Sequence, residues 1–264
     1  YDAAAFEYAD SEGLEAAFNG TKPGHVYSRS TNPTVEYFER VMLNLTGGLG
    51  VVALSSGMAA ISNTILTIAS AGDNIIASKH VFGNTFSLFD RTLKPFGIEF
   101  RFVDLTNLES IKQKIDKNTK AIFLETITNP HLEVVYFKVI AEIAHSNNIV
   151  FIADTTLTPP YIFNSKEHGI DIEILSSTKF ISGGGTSVGG LVIDNGIYKW
   201  QNLNKLQPDF AKFGTLAFIA RFRKEVYRNL GACLSPHNAY LQTLGLETFT
   251  LRIDKACANT FKLA

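Results

Sequence analysis

Short apolar runs alternate with longer amphipathic segments from residue 51 onward. A continuous apolar run of strand length is typical of a strand that is covered on both faces, as in a parallel sheet. The longer segments carry apolar residues at helical spacing. This alternation predicts right-handed βαβ units and a mostly parallel sheet. The predicted strands are Val51–Leu54, Asn74–Ala77, Ile98–Val103, Ala121–Leu124, Val150–Ala153, Ile170–Leu175 and Gly189–Asp194, the last one antiparallel.

Capping residues and helix breakers place the ends of the predicted helices. We expect Thr34 to cap a helix that begins near Val35 and ends at Gly47-Gly48. Another helix opens in the turn Ser55–Met58 and runs to about Ala71. The remaining predicted helices are Ser11–Phe18, Asn84–Leu93, Leu108–Ile115, Val135–Ser146, Phe210–Leu230 and Asn238–Phe261.

Composition adds a few exclusions to this picture. The 264 residues are 45% hydrophobic and 19% charged, which is ordinary for a globular chain with a sizeable core. A net charge of -1 disfavours a general nucleic-acid binder, and no apolar run has the length of a membrane span. Neither nucleic acid nor a membrane is therefore expected as a partner. The chain opens at Tyr1 without Met or a leader, and we interpret it as an internal piece of a longer protein.

Cysteine and histidine spacing shows no metal-binding pattern. Cys233 and Cys257 form no CxxC motif, and the six histidines include no HxxxH pair. We therefore predict no metal site, and free core thiols in a reducing cytoplasm.

Two strand ends carry residues with reactive chemistry. Lys179 follows the run Ile170–Leu175, and Asp154 follows the run Val150–Ala153. At one edge of a parallel sheet, this pair can hold the aldehyde carbon and the ring nitrogen of pyridoxal 5'-phosphate, with the lysine forming the Schiff base. Taken alone, Lys179 is better explained as a lysine at a strand end with its charge in water. The strand-end aspartate favours the cofactor interpretation.

Small and hydroxyl residues near these strand ends suit a phosphate group. In the turn Ser55–Met58, the N–H groups of Gly57 and Met58 can bind an anion at a helix N-terminus. A simple N-cap is the alternative. Ser176 and Thr178 flank the lysine and can reach the same phosphate, unless they only finish the strand.

Other candidates follow neighbouring strands or lie upstream of them. Phe82 can stack on the cofactor ring, or it can be a core aromatic. Asn129 can bind a cofactor phenolic oxygen or a substrate carboxylate, although before Pro130 it can equally be a turn former. Upstream, a run of turn formers exposes Tyr27 and Arg29.

These residues, in this order, resemble the γ-family of pyridoxal-phosphate-dependent enzymes of cysteine and methionine metabolism, and the resemblance covers nearly the whole chain. The family's motifs stand here as Tyr27-Ser28-Arg29, Asn32-Pro33-Thr34, Ser56-Gly57-Met58, Glu125 with Asn129-Pro130, Asp154-Thr155-Thr156, and Ser176-Ser177-Thr178-Lys179. Within the family, O-acetylhomoserine sulfhydrylases are most similar in the stretches Leu216–Pro236, Gly245–Thr248 and Leu251-Arg252.

The resemblance implies an α/β fold, that of the large domain of fold-type I, aspartate-aminotransferase-like transferases. Helices would cover both faces of the sheet, and the small C-terminal domain would be absent from this chain. We expect residues 1–50 to form an N-terminal arm and first helix that contact a neighbouring subunit. Residues 51–230 would form the cofactor-binding domain, and residues 231–264 would begin the linker helix to a C-terminal domain. The implied assembly is a homotetramer, a dimer of dimers with shared active sites.

The resemblance also implies residue roles. Lys179 would be the catalytic residue and bind the cofactor aldehyde, Asp154 would pair with the ring nitrogen, and Asn129 would contact the substrate. The other implied cofactor contacts are Gly57, Met58, Phe82, Thr156, Ser176 and Thr178, together with Tyr27 and Arg29 at the phosphate of a neighbouring subunit.

The implied reaction is γ-replacement on O-acetyl-L-homoserine. Sulfide or a thiol would displace acetate and give homocysteine or methionine in cytoplasmic methionine biosynthesis. A methionine or cystathionine γ-lyase and a cystathionine γ-synthase are alternatives that residue chemistry does not separate. A non-catalytic scaffold of the same fold is a weaker alternative because Asp154 and Lys179 are both present, and a nucleotide-binding protein is weaker still because no phosphate loop matches.

The chain departs from the family pattern in several respects. The family usually has tyrosine where Phe82 stands, and phenylalanine can stack but cannot transfer a proton. Our hypothesis is that acetate needs little protonation as it leaves, because its pKa is low. Thr155 replaces the family's usual asparagine and is assigned no role. An arginine in the C-terminal domain normally binds the substrate carboxylate, so we expect this chain to bind cofactor yet turn over poorly.

Overall fold

One seven-stranded sheet organises the chain, and a computed structural model describes all residues from 1 to 264. The strands are β1 (Gly50–Leu54), β2 (Asn74–Ser78), β3 (Glu99–Val103), β4 (Thr119–Glu125), β5 (Val150–Asp154), β6 (Ile172–Leu175) and β7 (Gly190–Asp194). Their order across the sheet is β1-β7-β6-β5-β4-β2-β3. Every strand predicted from the apolar runs is present.

The sheet is parallel except at β7, which lies antiparallel between β6 and β1 as predicted. Strands β4 and β5 place Glu125 opposite Asp154, and β5 pairs Asp154 with Ile174 of β6. The carboxyl ends of β4, β5 and β6 therefore lie side by side. The residues that follow these strands converge at one edge of the sheet.

Helices cover both faces of the sheet, as the α/β fold requires. The helices of the chain are α1 (Ser11–Phe18), α2 (Pro33–Thr46), α3 (Gly57–Ile68), α4 (Gly83–Ser87), α5 (Leu108–Lys112), α6 (Phe137–Ser146), α7 (Gln207–Phe213), α8 (Ala217–Arg221), α9 (Arg228–Leu230), α10 (Pro236–Leu246) and α11 (Phe249–Leu263), and all but α1 bury residues or pack beside those that do. Alternate residues of each strand point to opposite faces. Ile122 packs with Ile140 of α6 on one face, whereas Phe123 packs with Ile65 of α3 on the other.

The N-terminus of α2 differs from the prediction. Asn32, and not Thr34, caps this helix: its side-chain oxygen accepts the Thr34 N–H at 2.9 Å. Pro33 then occupies the first turn, where its fixed φ suits a helix and its missing N–H costs nothing. Gly47 ends the helix with a φ of 64°, as predicted.

The predicted helix Phe210–Leu230 is wrong as one continuous element. Gly214 adopts φ 56° and ψ -129°, which lies outside the helical region and ends α7. The chain restarts in α8 and passes through π-helical turns at Phe222–Tyr227 before α9. The predicted helix Asn238–Phe261 is likewise two helices, α10 and α11.

The first fifty residues contain two unlike parts. Residues 1–31 lie on the surface, where Ala5 and Tyr27 form a short backbone bridge and α1 buries no residue. In contrast, α2 packs against β1 and α10, and its Phe38 and Met42 are fully buried.

Both cysteines are free thiols. The prediction of core thiols is wrong for Cys257, because this residue is exposed on α11, whereas Cys233 is half-buried. None of the helices combines the length and the apolar character that crossing a membrane requires.

Candidate active site

A cavity of about 540 Å³ opens at the carboxyl edge of the parallel strands. Open α/β sheets bind ligands at this edge, because the loops that follow neighbouring strands diverge there. The cavity is lined by Ser56, Gly57, Met58, Ile61, Phe82, Asn84, Thr85, Glu125, Ile127, Asn129, Asp154, Thr156, Leu157, Ser176, Lys179 and Phe180.

Asp154 is the last residue of β5 and lines the cavity. Its Oδ1 atom accepts the Thr156 N–H at 2.9 Å, and it forms no ion pair within the chain. Burial raises the pKa of Asp154. A buried carboxylate without a cation is costly, so this position suits a positively charged group of a ligand.

Lys179 lines the same cavity from the turn after β6. Its side chain is exposed, and its amine forms neither a hydrogen bond nor an ion pair with the chain. The two residues on which the cofactor interpretation rests therefore face one cavity.

The N-terminus of α3 forms a third side of the cavity. Ser56 caps the helix by accepting the Ala59 N–H at 3.1 Å. The N–H groups of Gly57 and Met58 belong to the first turn, where a helix has no partners for them. A Cβ atom at Gly57 would lie only 2.8 Å from the Cβ of Ser176. The glycine thus lets the helix approach the end of β6 and leaves backbone donors for an anion.

The two threonines assigned to the cofactor occupy different surroundings. Thr156 lines the cavity, and its hydroxyl accepts the Ser176 N–H at 2.8 Å. Thr178 does not line the cavity. Its hydroxyl donates to the Gly189 carbonyl at 3.1 Å and accepts the Gly189 N–H at 3.0 Å.

Phe82 and Asn129 both line the cavity and are linked through one carboxyl group. Glu125 Oε1 accepts the Phe82 N–H at 2.5 Å, and Oε2 accepts the Asn129 N–H at 3.3 Å. Glu125 is only 7% exposed. Burial, and to a smaller extent the nearby charge of Asp154, raises the pKa of Glu125 to about 7, although the two N–H bonds act in the opposite direction.

Sequence reasoning assigns Glu125 no role, although a signal for one exists. Glu125 ends β4 at the same edge where Asp154 ends β5, and the two are register partners. The rule that identifies Asp154 as a strand-end residue therefore applies equally to Glu125.

Thr155 also acquires a structural explanation. Its hydroxyl donates to Glu173 Oε1 at 2.7 Å, and the other Glu173 oxygen accepts the Ser165 hydroxyl. Burial raises the pKa of Glu173. Thr155 thus satisfies a buried acid directly behind Asp154 and does not face the cavity.

Tyr27 and Arg29 lie outside this cavity. Both are exposed, and the Arg29 guanidinium lies 5.3 Å from the centroid of the Tyr27 ring. Arg29 also donates to the Arg228 carbonyl at 2.6 Å. The structure brings neither residue to the cavity of its own chain.

The site fits pyridoxal phosphate in its donor set. Asp154 offers a half-buried carboxylate without a cationic partner, Lys179 offers an unpaired amine, and the Gly57 turn offers free N–H groups at a helix N-terminus. A ring nitrogen, an aldehyde and a phosphate are the groups that these three features would bind.

Comparisons with known proteins agree with this arrangement. A family model described as Cys/Met metabolism PLP-dependent enzyme matches residues 1–264. Sulfhydrylase FUB7 of Fusarium oxysporum f. sp. lycopersici is 39% identical over 100% of this chain. The chain spans 64% of the length of that relative.

Two solved structures are similar in sequence as well as in fold. The O-acetylhomoserine sulfhydrylase of the methionine biosynthetic pathway of Wolinella succinogenes is 54% identical, with a TM-score of 0.85 over 88% of this chain and 66% of that one. A Campylobacter jejuni protein described as an O-acetylhomoserine (thiol)-lyase is 34% identical, with a TM-score of 0.93 over 100% of this chain and 68% of that one. The latter structure contains N'-pyridoxyl-lysine-5'-monophosphate.

Proposed function

Because the chain belongs to the Cys/Met-metabolism family of pyridoxal-phosphate-dependent enzymes, we propose that the whole protein catalyses γ-replacement on O-acetyl-L-homoserine. Sulfide or a small thiol replaces acetate at Cγ, and the product is homocysteine or methionine. The observation that carries this proposal is that Asp154 and Lys179 line one cavity beside the N-terminus of α3. The similarity to proteins named as sulfhydrylases supports the choice of substrate.

In this proposal, different residues of the cavity contact different groups of the cofactor. Pyridoxal phosphate, when bound, stabilises negative charge on the substrate carbon next to the amino group. Gly57 and Met58 bind its phosphate through their N–H groups, and Phe82 stacks on its ring. The Asp154 carboxylate holds the proton on the ring nitrogen, because burial makes an uncompensated negative charge there costly.

Three hydroxyl groups, those of Ser176, Thr156 and Thr178, contribute to the phosphate site in different ways. Ser176 lines the cavity and offers its hydroxyl directly. Thr156 holds the Ser176 N–H and thereby sets where that hydroxyl lies. Thr178 anchors the backbone beside the lysine through Gly189, so its contribution to the phosphate is made through the position of its neighbours.

Lys179 moves the protons of the proposed reaction. Its Nζ atom would hold the cofactor aldehyde, and the amine would accept the proton from the substrate Cα and help to take one from Cβ. Acetate leaves as an anion with the electron pair of the Cγ–O bond, and its low pKa makes a proton donor unnecessary at that moment. The sulfur nucleophile then bonds to Cγ in place of acetate, and protons return to Cβ and Cα. Phe82 at the cavity wall is compatible with this chemistry, and Asn129 is placed to contact the substrate.

We propose that Tyr27 and Arg29 complete the phosphate site of a neighbouring subunit in a homotetramer built as a dimer of dimers. Both residues are exposed and neither lines the cavity of its own chain, which supports an intersubunit role. The free thiols support a place in a reducing compartment, the cytoplasm.

The deciding experiment follows the cofactor and the reaction separately. The protein is mixed with pyridoxal phosphate, reduced with borohydride and digested, and peptide mass spectrometry locates the pyridoxyl group. We expect it on Lys179. Activity is then compared for O-acetyl-L-homoserine with sulfide and for methionine alone.

Two other outcomes would each indicate a different function. Faster breakdown of methionine than replacement on O-acetyl-L-homoserine would indicate a γ-lyase. A chain that captures no cofactor on Lys179 would indicate a non-catalytic scaffold of this fold.

A further inference from the structure

The backbone that follows Lys179 is held by two helices that have no part in the cavity. We call residues 177–189 the lysine loop; it connects the lysine to β7 and includes glycines at φ 79° (Gly183) and φ 64° (Gly185). Helices α10 and α11 pack against it. The motifs Gly245–Thr248 and Leu251-Arg252, which the proposed reaction leaves without a role, lie at this contact.

One face of α10 lies along the lysine loop. Asn238, Gln242 and Gly245 have the spacing i, i+4 and i+7, which places them on one side of a helix. Asn238 Nδ2 donates to the Val188 carbonyl at 3.1 Å. A Cβ atom at Gly245 would lie 2.7 Å from the Ser182 carbonyl oxygen, so the helix backbone lies directly against the loop backbone.

Arg252 of α11 joins the loop to the end of α10. Its Nη1 donates to the Phe180 carbonyl at 2.8 Å, and its Nη2 donates to the Gly245 carbonyl at 2.7 Å. Its Nε donates to the Thr248 hydroxyl at 3.0 Å. No carboxylate pairs with this guanidinium, so the planar fork serves to fix the relative positions of neutral oxygens.

The same guanidinium supports the turn at Gly183. A Cβ atom at Gly183 would lie 2.8 Å from the Arg252 Cζ. Gly183 N–H in turn donates to the Lys179 carbonyl at 3.3 Å. Arg252 therefore contacts the backbone on the C-terminal side of Lys179 twice, at Phe180 and at Gly183.

The backbone on the N-terminal side of Lys179 is held independently. The Thr178 hydroxyl bonds both the N–H and the carbonyl of Gly189. Lys179 itself has an exposed side chain whose amine contacts no partner in the chain. The direction of that amine is consequently set by its backbone, which Thr178 and Arg252 hold from either side.

We propose that Arg252 is a positioning residue for Lys179, and that α10 and α11 act through it to hold the lysine amine toward the cavity. The inference rests on the proposed role of Lys179 in binding the cofactor aldehyde. It assigns Arg252 no contact with cofactor or substrate. Its effect should therefore appear in the capture of cofactor by the lysine, before any turnover.

The test is Arg252→Met, with Arg101→Met as the matched control. Arg101 also donates to a main-chain carbonyl, that of Lys114 at 2.7 Å, but it lies on the edge strand β3. Borohydride labelling followed by peptide mass spectrometry gives the pyridoxal phosphate concentration that half-labels Lys179. We expect Arg252→Met to raise this concentration about tenfold, the effect of one lost hydrogen bond from a charged group, and to shift the pH midpoint of the visible absorbance of the bound cofactor. Arg101→Met should change neither quantity.

Two further variants, Arg252→Lys and Thr248→Val, test whether the effect follows the hydrogen bonds of the guanidinium. Arg252→Lys keeps the charge but cannot span both carbonyls, so its half-labelling concentration should lie between wild type and Arg252→Met. Thr248→Val removes one anchor of the guanidinium, and we expect a rise of about twofold to threefold. This variant decides the matter if Arg252→Met does not fold.

Equal half-labelling concentrations and pH midpoints in the wild type and the Arg252 variants, with only the melting temperature lowered, would overturn this inference and leave the proposed function intact. If Arg252→Met does not fold, unchanged values for Thr248→Val would do the same. A wild-type chain that captures no cofactor on Lys179 would overturn both.

Discussion

Acidic residues at the two ends of the parallel strands differ in the hydrogen-bond partners that the chain provides for them. At the amino end of the parallel strands, Asp171 is fully buried, and its carboxylate accepts the Phe151 N–H at 2.7 Å. His145 Nε2 lies 3.0 Å from one oxygen and 3.1 Å from the other, and this hydrogen bond raises the pKa of His145. At the carboxyl end, the Asp154 carboxylate accepts only the N–H of Thr156, two residues along its own loop, and lines the cavity.

This difference separates acids that serve the fold from acids that serve a ligand. The chain supplies partners for the Asp171 carboxyl group, whose hydrogen bonds join β5 and α6 to the residue that precedes β6. It supplies no cation for Asp154, and a ligand that brings one gains binding free energy from the charge. Variants at the amino ends of the strands should therefore change the free energy of unfolding, and variants at the carboxyl ends should change cofactor binding and activity.

The largest effect is expected for Lys179→Ala. The proposed proton transfers at the substrate Cα would lose their base, so kcat should fall by about 100- to 10,000-fold. The melting temperature should not change, because the lysine amine has no partner in the chain. Lys79→Ala is the control, since Lys79 pairs with Asp104 and does not line the cavity. Activity of Lys179→Ala within tenfold of wild type would contradict its proposed role.

The next largest effects are expected for Asp171→Asn, which should lower stability, and for Asp154→Asn, which should lower cofactor affinity. Asp171→Asn replaces one of the two oxygens that serve His145 and the Phe151 N–H with an amide nitrogen, and the free energy of unfolding in urea should fall by about 3 kcal/mol. Asp154→Asn should leave this free energy within about 1 kcal/mol of wild type, while cofactor affinity drops at least about tenfold. Titration with pyridoxal phosphate measures the second quantity. A destabilised Asp154→Asn with normal cofactor binding would reverse the comparison.

An effect of similar size, spread over several pH units, concerns the pH dependence of the cofactor-free protein. The pKa of Glu125 is raised from 4.5 to about 7, so the folded state binds a proton in this range that the unfolded state has lost. Stability from this group is therefore present below pH 4.5 and falls by about 3 kcal/mol as the pH rises to 7. Glu125→Gln should flatten this slope, as measured by urea unfolding at several pH values. An unchanged slope would show that Glu125 is ionised in the folded protein.

The smallest effect is expected for Phe82→Tyr. If acetate departs without a proton donor, a new hydroxyl at this wall should change sulfhydrylase activity by less than about threefold. Phe82→Leu is the matched control for the loss of ring stacking. A sharp change in γ-elimination for Phe82→Tyr would count against our explanation of this departure from the family.

The sequence is informative where the structure depends on local pattern. Every strand was predictable, because a strand buried on both faces must be apolar along its length. The strand-end rule correctly selected Asp154, Lys179, Phe82 and Asn129 as residues of one edge. Helix ends were less predictable: the cap of α2 moved to Asn32, and the backbone of Gly214 divided a helix that the apolar pattern predicts as continuous.

Contacts between distant segments were not readable from the pattern. Glu125 bonds residues on two different loops, and Arg252 reaches a carbonyl 72 residues away along the chain. Nothing in the local sequence of either residue specifies its partner. Thr178 is another example, since only the fold shows that its hydroxyl is engaged by Gly189 and does not line the cavity.

The sequence by itself determined the α/β class, the positions of the strands and the set of residue types that can bind a pyridoxal cofactor. These follow from hydrophobic periodicity and from the chemistry of single side chains, which are local properties. Only the tertiary structure decided which acid is satisfied by the chain, which one is left facing a cavity, and which arginine holds the backbone beside the lysine. Those outcomes depend on hydrogen bonds and burial between segments far apart in the chain, and burial sets the energetic cost of every charge.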